Sequence, residues 1–448
     1  VSAEAGCAIE CPNFADQQRI HPPVGSSMLA VLLAPLQLAM AAPWALYLLT
    51  LTAFLFRPPT LEFHVVDRIT FCVLVVVVFL RAMALRQRLP SSGLGWPMLG
   101  LTVLAVCGLV THSFAASTWS VATAKFFVPF AMFWMASLVF QDARSLRWLE
   151  RFLFVGLAYL SFISLAHLVG AHQLVFPRFI LDKSIGIHAD RARGPFLQAV
   201  ANGVTINMLG LLAIDGYRRK RLRGMTGFIL LAALPLAIVA TKTRGVWLSF
   251  AISVIWLISK MSDRRLRRAF VVVGIAGTVG VSSMIVFSRG GGGLGDRLQE
   301  NSPVEFRMAV YRAGWEMFVE RPVLGWGTQE LQNELAHRID GFQGDSFAVH
   351  NTYFDVLLEH GAVGLGLYAW LVVALFRLGK RGAQDSETVL ASIHSVWPVL
   401  LGVYFVNAMF VVMSYQFVNG LLFTCAGILA AHSSSATAGP RARFARCG

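Results

Sequence analysis

Residues 225–259 read MTGFILLAALPLAIVATKTRGVWLSFAISVIWLIS, two apolar runs joined by Thr241-Lys242-Thr243-Arg244-Gly245. Each run approaches the ~20 apolar residues that cross a bilayer. Five cations precede the first run (Arg218, Arg219, Lys220, Arg221, Arg223) and five follow the second (Lys260, Arg264, Arg265, Arg267, Arg268). Lys and Arg concentrate on the cytoplasmic side of membrane proteins. Both feet of this hairpin are therefore expected there, and Arg244 is expected to emerge on the opposite face.

The same alternation extends in both directions. Apolar runs at 28–56, 65–80, 94–111, 119–140, 152–170, 196–214, 269–287, 352–376, 389–411 and 415–431 bring the expected spans to twelve. Pro43 lies near the middle of the first, which predicts one kinked helix or two short ones. Alternate connections carry Arg81/Arg86/Arg88, Arg144/Arg147/Arg151 and Arg377/Lys380/Arg381. With Arg19, Arg441, Arg443 and Arg446 on the same side, more than half of the 38 Lys and Arg residues face the cytoplasm. The pattern predicts an all-α polytopic membrane protein of about 12 transmembrane helices. Its expected parts are a cytoplasmic segment 1–27, spans over 28–287, a periplasmic loop subdomain 288–350, spans over 351–431 and a cytoplasmic tail 432–448.

Composition agrees with that plan. Of 448 residues 56% are apolar and only 14% charged, which excludes a soluble cytosolic enzyme, a disordered chain and a disulfide scaffold. The net charge of +14 follows from cationic cytoplasmic loops, so no nucleic-acid partner is expected. The first 26 residues lack a cationic-then-apolar pattern, and no cleavable leader is expected. Of the six cysteines, Cys7, Cys11 and Cys447 fall in expected cytoplasmic ends and Cys72, Cys107 and Cys425 in spans, so no disulfide framework is implied. Cys7-x-x-x-Cys11 supplies only two ligands of the four that a structural zinc needs.

Only 171–195 and 288–350 are long enough on the outer face to build a site. The second is too long for a structureless loop. It opens on Gly290-Gly291-Gly292-Gly293, read as a tether because the Gly-Lys-Ser/Thr ending of a phosphate loop is missing. Residues 306–318 then place apolar side chains at helical spacing, which predicts an amphipathic helix on the membrane surface. His350-Asn351 closes the loop at the start of the tenth span, with Asn351 as helix cap. Asn351, Asp355 and Glu359 share a face of that helix, followed by Gly361, Gly364 and Gly366, a spacing that lets another helix approach closely. Glu359 and His360 are expected well inside the span, where an ionisable group needs a partner. Lys125, two turns into the fourth span, is the cation expected to pair with Asp355 or Glu359.

Arg191, Arg193, Arg244, Arg307, Arg312 and His350 all belong to outer connections in this topology. One such arginine is as well explained by snorkelling. Five in one plane read as an anion site, because guanidinium forks match phosphate oxygens. Metal-spaced carboxylate clusters are missing from these loops, so a metal-independent mechanism with no cofactor is expected.

These residues carry a family resemblance. His350-Asn351 followed at Gly361 and Gly364, the Thr243-Arg244-Gly245 turn with Trp247 and Leu248, the turn Glu320–Gly327, and Arg307 four residues before Tyr311 resemble the O-antigen ligase and polymerase superfamily, which includes protein O-oligosaccharyltransferases. Tyr311 stands where that family has Trp, and the stretch from Phe196 to Asn202 matches its pattern only loosely. The resemblance implies a GT-C-like glycosyltransferase of the bacterial inner membrane, active on the periplasmic face. It implies an undecaprenyl-pyrophosphate-linked glycan as donor and, in the ligase branch, a lipid A core sugar as acceptor, in lipopolysaccharide biosynthesis. On that reading Arg244 and Arg307, with Arg191 or Arg193, hold the pyrophosphate and His350 is the base. Asn351, Arg312, Glu359 and Lys125 are supporting candidates. The single dominant outer loop favours a ligase over a polymerase or a protein glycosyltransferase. A transporter or lipid flippase is the reading without covalent chemistry.

Overall fold

The computed structural model describes residues 37, 39–56, 65–87, 89–90, 93–111, 113–186, 188–260, 268, 272, 302–339, 348–379 and 388–437. The expected ninth span (269–287), the glycine tether (288–301), the cationic Arg88, and the segments 1–27 and 438–448 lie outside them, single positions 268, 272 and the like apart. The chain divides into two units, Val1–Ala42 and Pro43–Gly448, and every helix named below belongs to the second.

The described residues are helical throughout, with no strand. Helices occupy each expected span within them: α1 Pro43–Leu55, α2 Val65–Ala84, α3 Gly95–Val110, α4 Ala116–Val139, α5 Ala143–Leu168, α6 Ala199–Arg218, α7 Gly224–Ala240 and α8 Arg244–Lys260. Two loop helices follow, α9 Ser302–Glu320 and α10 Gly327–His337, and then α11 Thr352–Leu378, α12 Val389–Ala408 and α13 Gln416–Thr437. Five of these, α4, α5, α6, α11 and α12, are long and apolar enough to cross a membrane. In the first expected span residues 37 and 39–41 are helical, Ala42 is not, and a helix begins at Pro43; the proline thus stands at a helix start, where a missing N–H costs nothing.

Hydrogen bonds between helices sort the connections to two ends. At one, Asp215 of α6 pairs with Arg218 (2.6 Å) and Arg219 (2.7 Å) and accepts from Ser392 (2.7 Å) at the start of α12, while Arg221 pairs with Glu150 near the start of α5 (2.8 Å). This is the cationic end. At the other, the Ala192 N–H donates to the Ala240 carbonyl (3.0 Å) and Thr352 is bonded to Val411. This is the loop end, and the connections joined there and at the cationic end fall on the two sides that Lys and Arg predict for them.

The interior is apolar with a few paired polar groups. α13 lies so close to α4 that a Cβ at Gly427 would collide with the Phe133 carbonyl. Tyr47 of α1 ties the two together, its hydroxyl 2.6 Å from Thr424 Oγ1 and donating to the Met132 carbonyl (3.2 Å). Inside α4, residues Thr123–Phe127 form a π turn. Such a turn disturbs the helical hydrogen-bond register, and here the Asn419 amide donates to the carbonyl of Ala124 (2.7 Å).

The loop helices make a second, smaller core. Val310, Ala313 and Met317 of α9 pack with Leu331 and Leu335 of α10, Trp326, and Leu358 of α11. The helix expected over 306–318 is therefore present, and one of its faces is buried in protein. Its other face exposes Met308, Trp315 and Val319.

α11 is not continuous. Gly361 has φ 63 and ψ −163, which separates Thr352–His360 from the rest of the helix. The turn Pro322–Trp326 fills the gap: Ala362 N donates to the Pro322 carbonyl (2.8 Å), Val363 N to that of Val323 (3.3 Å) and Trp326 N to that of Leu358 (2.9 Å). Positive φ favours glycine, and a Cβ at Gly361 would run into the Val323 carbonyl. This corrects the reading of Gly361, Gly364 and Gly366 as a helix-contact stripe. Gly361 admits the backbone of a turn, Gly364 meets His360, and Gly366 faces open space. Glu359 and His360 precede the break, and both are buried in protein.

Candidate functional site

The connector between α12 and α13 assembles the loop end. Gly245, directly after Arg244, packs where a Cβ would stand 3.0 Å from the Phe410 ring. The guanidinium of Arg307 reaches the carbonyl of the same Phe410 (3.4 Å). Thr352, two residues after His350, donates its hydroxyl to the Val411 carbonyl (2.7 Å) and accepts from Met413 N–H (3.0 Å). Three segments far apart in the chain thus meet on residues 410–413.

Each of the three is held by local chemistry. Arg244 opens α8 after Lys242, whose φ is 47, and Trp247 Nε1 donates back to the Ile238 carbonyl (3.1 Å), locking the turn. The Arg244 side chain itself is exposed, with no hydrogen bond or ion pair among the described residues. Arg307 is half-buried on α9. His350 has φ 53, a conformation uncommon outside glycine that concentrates at functional positions. Its ring lies 6.3 Å from that of Phe306. Asn351 then caps α11, its Oδ1 accepting from Tyr353 N (3.0 Å) and Phe354 N (3.2 Å). Its amide nitrogen reaches the Tyr311 hydroxyl (3.5 Å), so the residue that stands for Trp has a polar use here.

Burial holds the His350 imidazole below its ordinary value of 6.5, and the positive Arg307 and electrostatic repulsion with His188 add to the shift. The ring is therefore neutral at neutral pH, and none of its nitrogens is engaged among the described residues. A neutral, unengaged imidazole beside guanidinium groups can accept a proton. His188 was not singled out in the sequence. It too has φ 53, and its nearness to His350 brings the 182–198 connection to the junction.

The remaining arginines do other things. Arg193 is 1% exposed. Its guanidinium donates to the carbonyls of Ile180 (2.8 Å), Ile185 (2.6 Å) and Asp182. It holds its own loop together and is buried with three donors spent on backbone carbonyls, which corrects its reading as a pyrophosphate ligand. Asn202, only loosely matched in the sequence, supports the same loop by donating to the Ala192 carbonyl (2.8 Å). Arg191 is half-buried in that loop and engaged there. Arg312 has an 88% exposed side chain and stands 4.0 Å from Glu316. It shares the exposed face of α9 with Met308, Trp315 and Val319, away from the junction, so the five-arginine plane reduces to Arg244 and Arg307 with Arg191 alongside.

Lys125 pairs with both expected carboxylates. Its Nζ lies 2.5 Å from Asp355 and also contacts Glu359, with all three side chains buried. The π turn presents this lysine to one face of the Thr352–His360 segment. A buried cation between two anions satisfies all three where any one alone would be costly. The segment that begins at His350 is thus fixed at its start by Asn351 and Thr352, along its length by Lys125, and at its end by the Pro322–Trp326 turn.

No curated protein matches the chain. Residues 226–369 match the family model described as O-antigen ligase. The match contains Arg244, Arg307, His350, Asp355, Glu359 and both halves of the Gly361 break; Lys125, Arg193 and the 409–413 connector lie outside it. The resemblance carried by these residues thus has a counterpart in the match, and residues 226–369 are similar to the O-antigen ligase family.

Proposed function

We propose that the protein is a ligase that transfers a glycan from an undecaprenyl-pyrophosphate-linked donor to a sugar hydroxyl of lipid A core, at the periplasmic face of the bacterial inner membrane. The observation that carries this reading is that Arg307, Gly245 beside Arg244, and Thr352 two residues after His350 all meet residues 410–413. An anionic leaving group and a proton acceptor are what glycosyl transfer from a diphosphate requires.

In this reading His350 takes the proton of the acceptor hydroxyl as its oxygen attacks the anomeric carbon. The bond from that carbon to the diphosphate oxygen breaks, and its electron pair leaves with the diphosphate. Attack opposite to the departing group inverts the anomeric centre. Arg244 and Arg307 stabilise the charge that grows on the leaving group, where preorganised donors act most strongly. Arg191 is near enough in the chain to the His188 loop to assist. No cofactor has a step in this scheme. The exposed Met308, Trp315 and Val319 stripe, with Arg312 snorkelling from it, would rest α9 against lipid.

The test is a purified, reconstituted assay with lipid-linked glycan, offered with lipid A core or with no second acceptor. A single mass shift on core supports the ligase, whereas a ladder of products without core means a polymerase. His350→Ala is expected to lower transfer by about a hundred- to ten-thousand-fold without loss of folding. Near-normal transfer by that variant would remove the histidine from the mechanism.

A further inference from the structure

The connector that gathers the junction also lines a second feature. Directly after Met413, residues Ser414, Gln416 and Phe417 form one wall of a cleft of about 460 Å³, within the ~300–1,000 Å³ of small-molecule sites. Arg68 of α2, Ser117 of α4 and Phe196 also line it, and the rings of Phe196 and Phe417 are in contact with centroids 5.8 Å apart. Phe196 closes the turn that begins at Arg193, so the cleft and the junction share both the connector and the 182–198 loop.

Gln416 is the informative residue. It is 9% exposed, its amide oxygen is buried without a hydrogen-bond partner, and its amide makes no other bond among the described residues. Buried polar groups are almost always paired, so this one calls for a ligand. The oxygen needs a donor, which a hydrocarbon chain does not offer and an ionised phosphate, an acceptor only, does not offer either. A hydroxyl can donate to the amide oxygen and accept from the amide nitrogen. Ser117 and Ser414 extend the same chemistry, and the two phenylalanine rings suit the apolar face of a pyranose. Arg68 is exposed and in no ion pair among the described residues, a place for a negative substituent.

We propose that this cleft binds a sugar of one of the two substrates, held by Gln416 through its hydroxyls, with Arg68 accommodating a phosphate or carboxylate on it. That the sugar belongs to a substrate rests on the transfer reading above; that a sugar binds does not. The full chain in nanodiscs, titrated by saturation-transfer NMR with N-acetylglucosamine, glucose 1-phosphate and inorganic phosphate, separates the two. Both sugars should bind, and Gln416→Leu should weaken both about tenfold. Arg68→Gln should weaken glucose 1-phosphate alone. Should Gln416→Leu lower the melting temperature, Gln416→Asn, which withdraws the amide by one carbon, is expected to give the same loss in a folded protein. The proposal is overturned if neither sugar binds, if neither Gln416 variant changes their affinity, or if inorganic phosphate binds as tightly as glucose 1-phosphate. In the transfer assay, a rise in KM for core alone would assign the sugar to the acceptor, and a rise for the lipid-linked glycan alone to the donor; no rise in either would also overturn it. A protein that binds sugar in this way yet transfers none would fault the transfer reading and leave the cleft standing.

Discussion

The 171–198 and 302–350 connections both bring arginines to the loop end, and they use them in opposite ways. Arg193 sits inside its loop with three carbonyls on its guanidinium. Arg307 reaches one carbonyl at 3.4 Å and faces His350. A guanidinium has five donors in a fixed fork; Arg193 spends three of them on the protein's own backbone and is buried, so it presents none to a substrate. The first connection is a scaffold that carries His188 and Phe196; the second carries Arg307 and His350, the groups to which the proposed function gives the chemistry. In the sequence the two arginines look alike, since both belong to outer connections.

Substitutions can break that contrast, and of the arginines Arg307→Ala should have the largest effect on transfer. Loss of one preorganised donor to developing charge typically lowers kcat by about 10²–10³-fold, and here the melting temperature should stay near that of wild type. Arg193→Ala should do the reverse. It orphans buried carbonyls at about 1–3 kcal/mol each, so thermal stability should fall well before the rate constant of the folded fraction does. If Arg193→Ala were as stable as wild type but inactive, the division between scaffold and chemistry would be wrong.

The pH profile sharpens the comparison further. Burial and the Arg307 charge hold His350 below 6.5, so the base is neutral above that range and is lost as pH falls through the lowered value. Transfer should be flat around neutrality with an acid limb below 6.5. In the residual activity of Arg307→Ala, the limb should move to higher pH, because the nearby positive charge that opposes protonation is gone. An acid limb unmoved by that change would place Arg307 too far from His350 to act on it. The smallest effect is expected at Arg312→Ala. That side chain is 88% exposed, so stability should change by no more than about 0.5 kcal/mol and transfer should hold within a few-fold.

Much of the fold was legible because membrane helices announce themselves by length and apolarity, and their connections by charge. The cap at Asn351, the helix over 306–318 and the pairing of Lys125 with Asp355 and Glu359 were all readable from spacing. The break at Gly361 was not. Its signal, glycines three and two apart, is the same as that of a helix-contact stripe, and only the arrival of Pro322–Trp326 from another part of the chain distinguishes them. His188 had no signal at all beyond being a histidine in a loop, and Gln416 looked like any polar residue at a helix start.

The sequence by itself determined which segments are helical, which ends carry the cations, and which residue types stand at the loop end, since these follow from local apolarity, spacing and charge. The tertiary structure alone decided which arginines are free. Whether a guanidinium meets substrate or its own backbone depends on carbonyls contributed by distant residues, and no local pattern encodes where those carbonyls point.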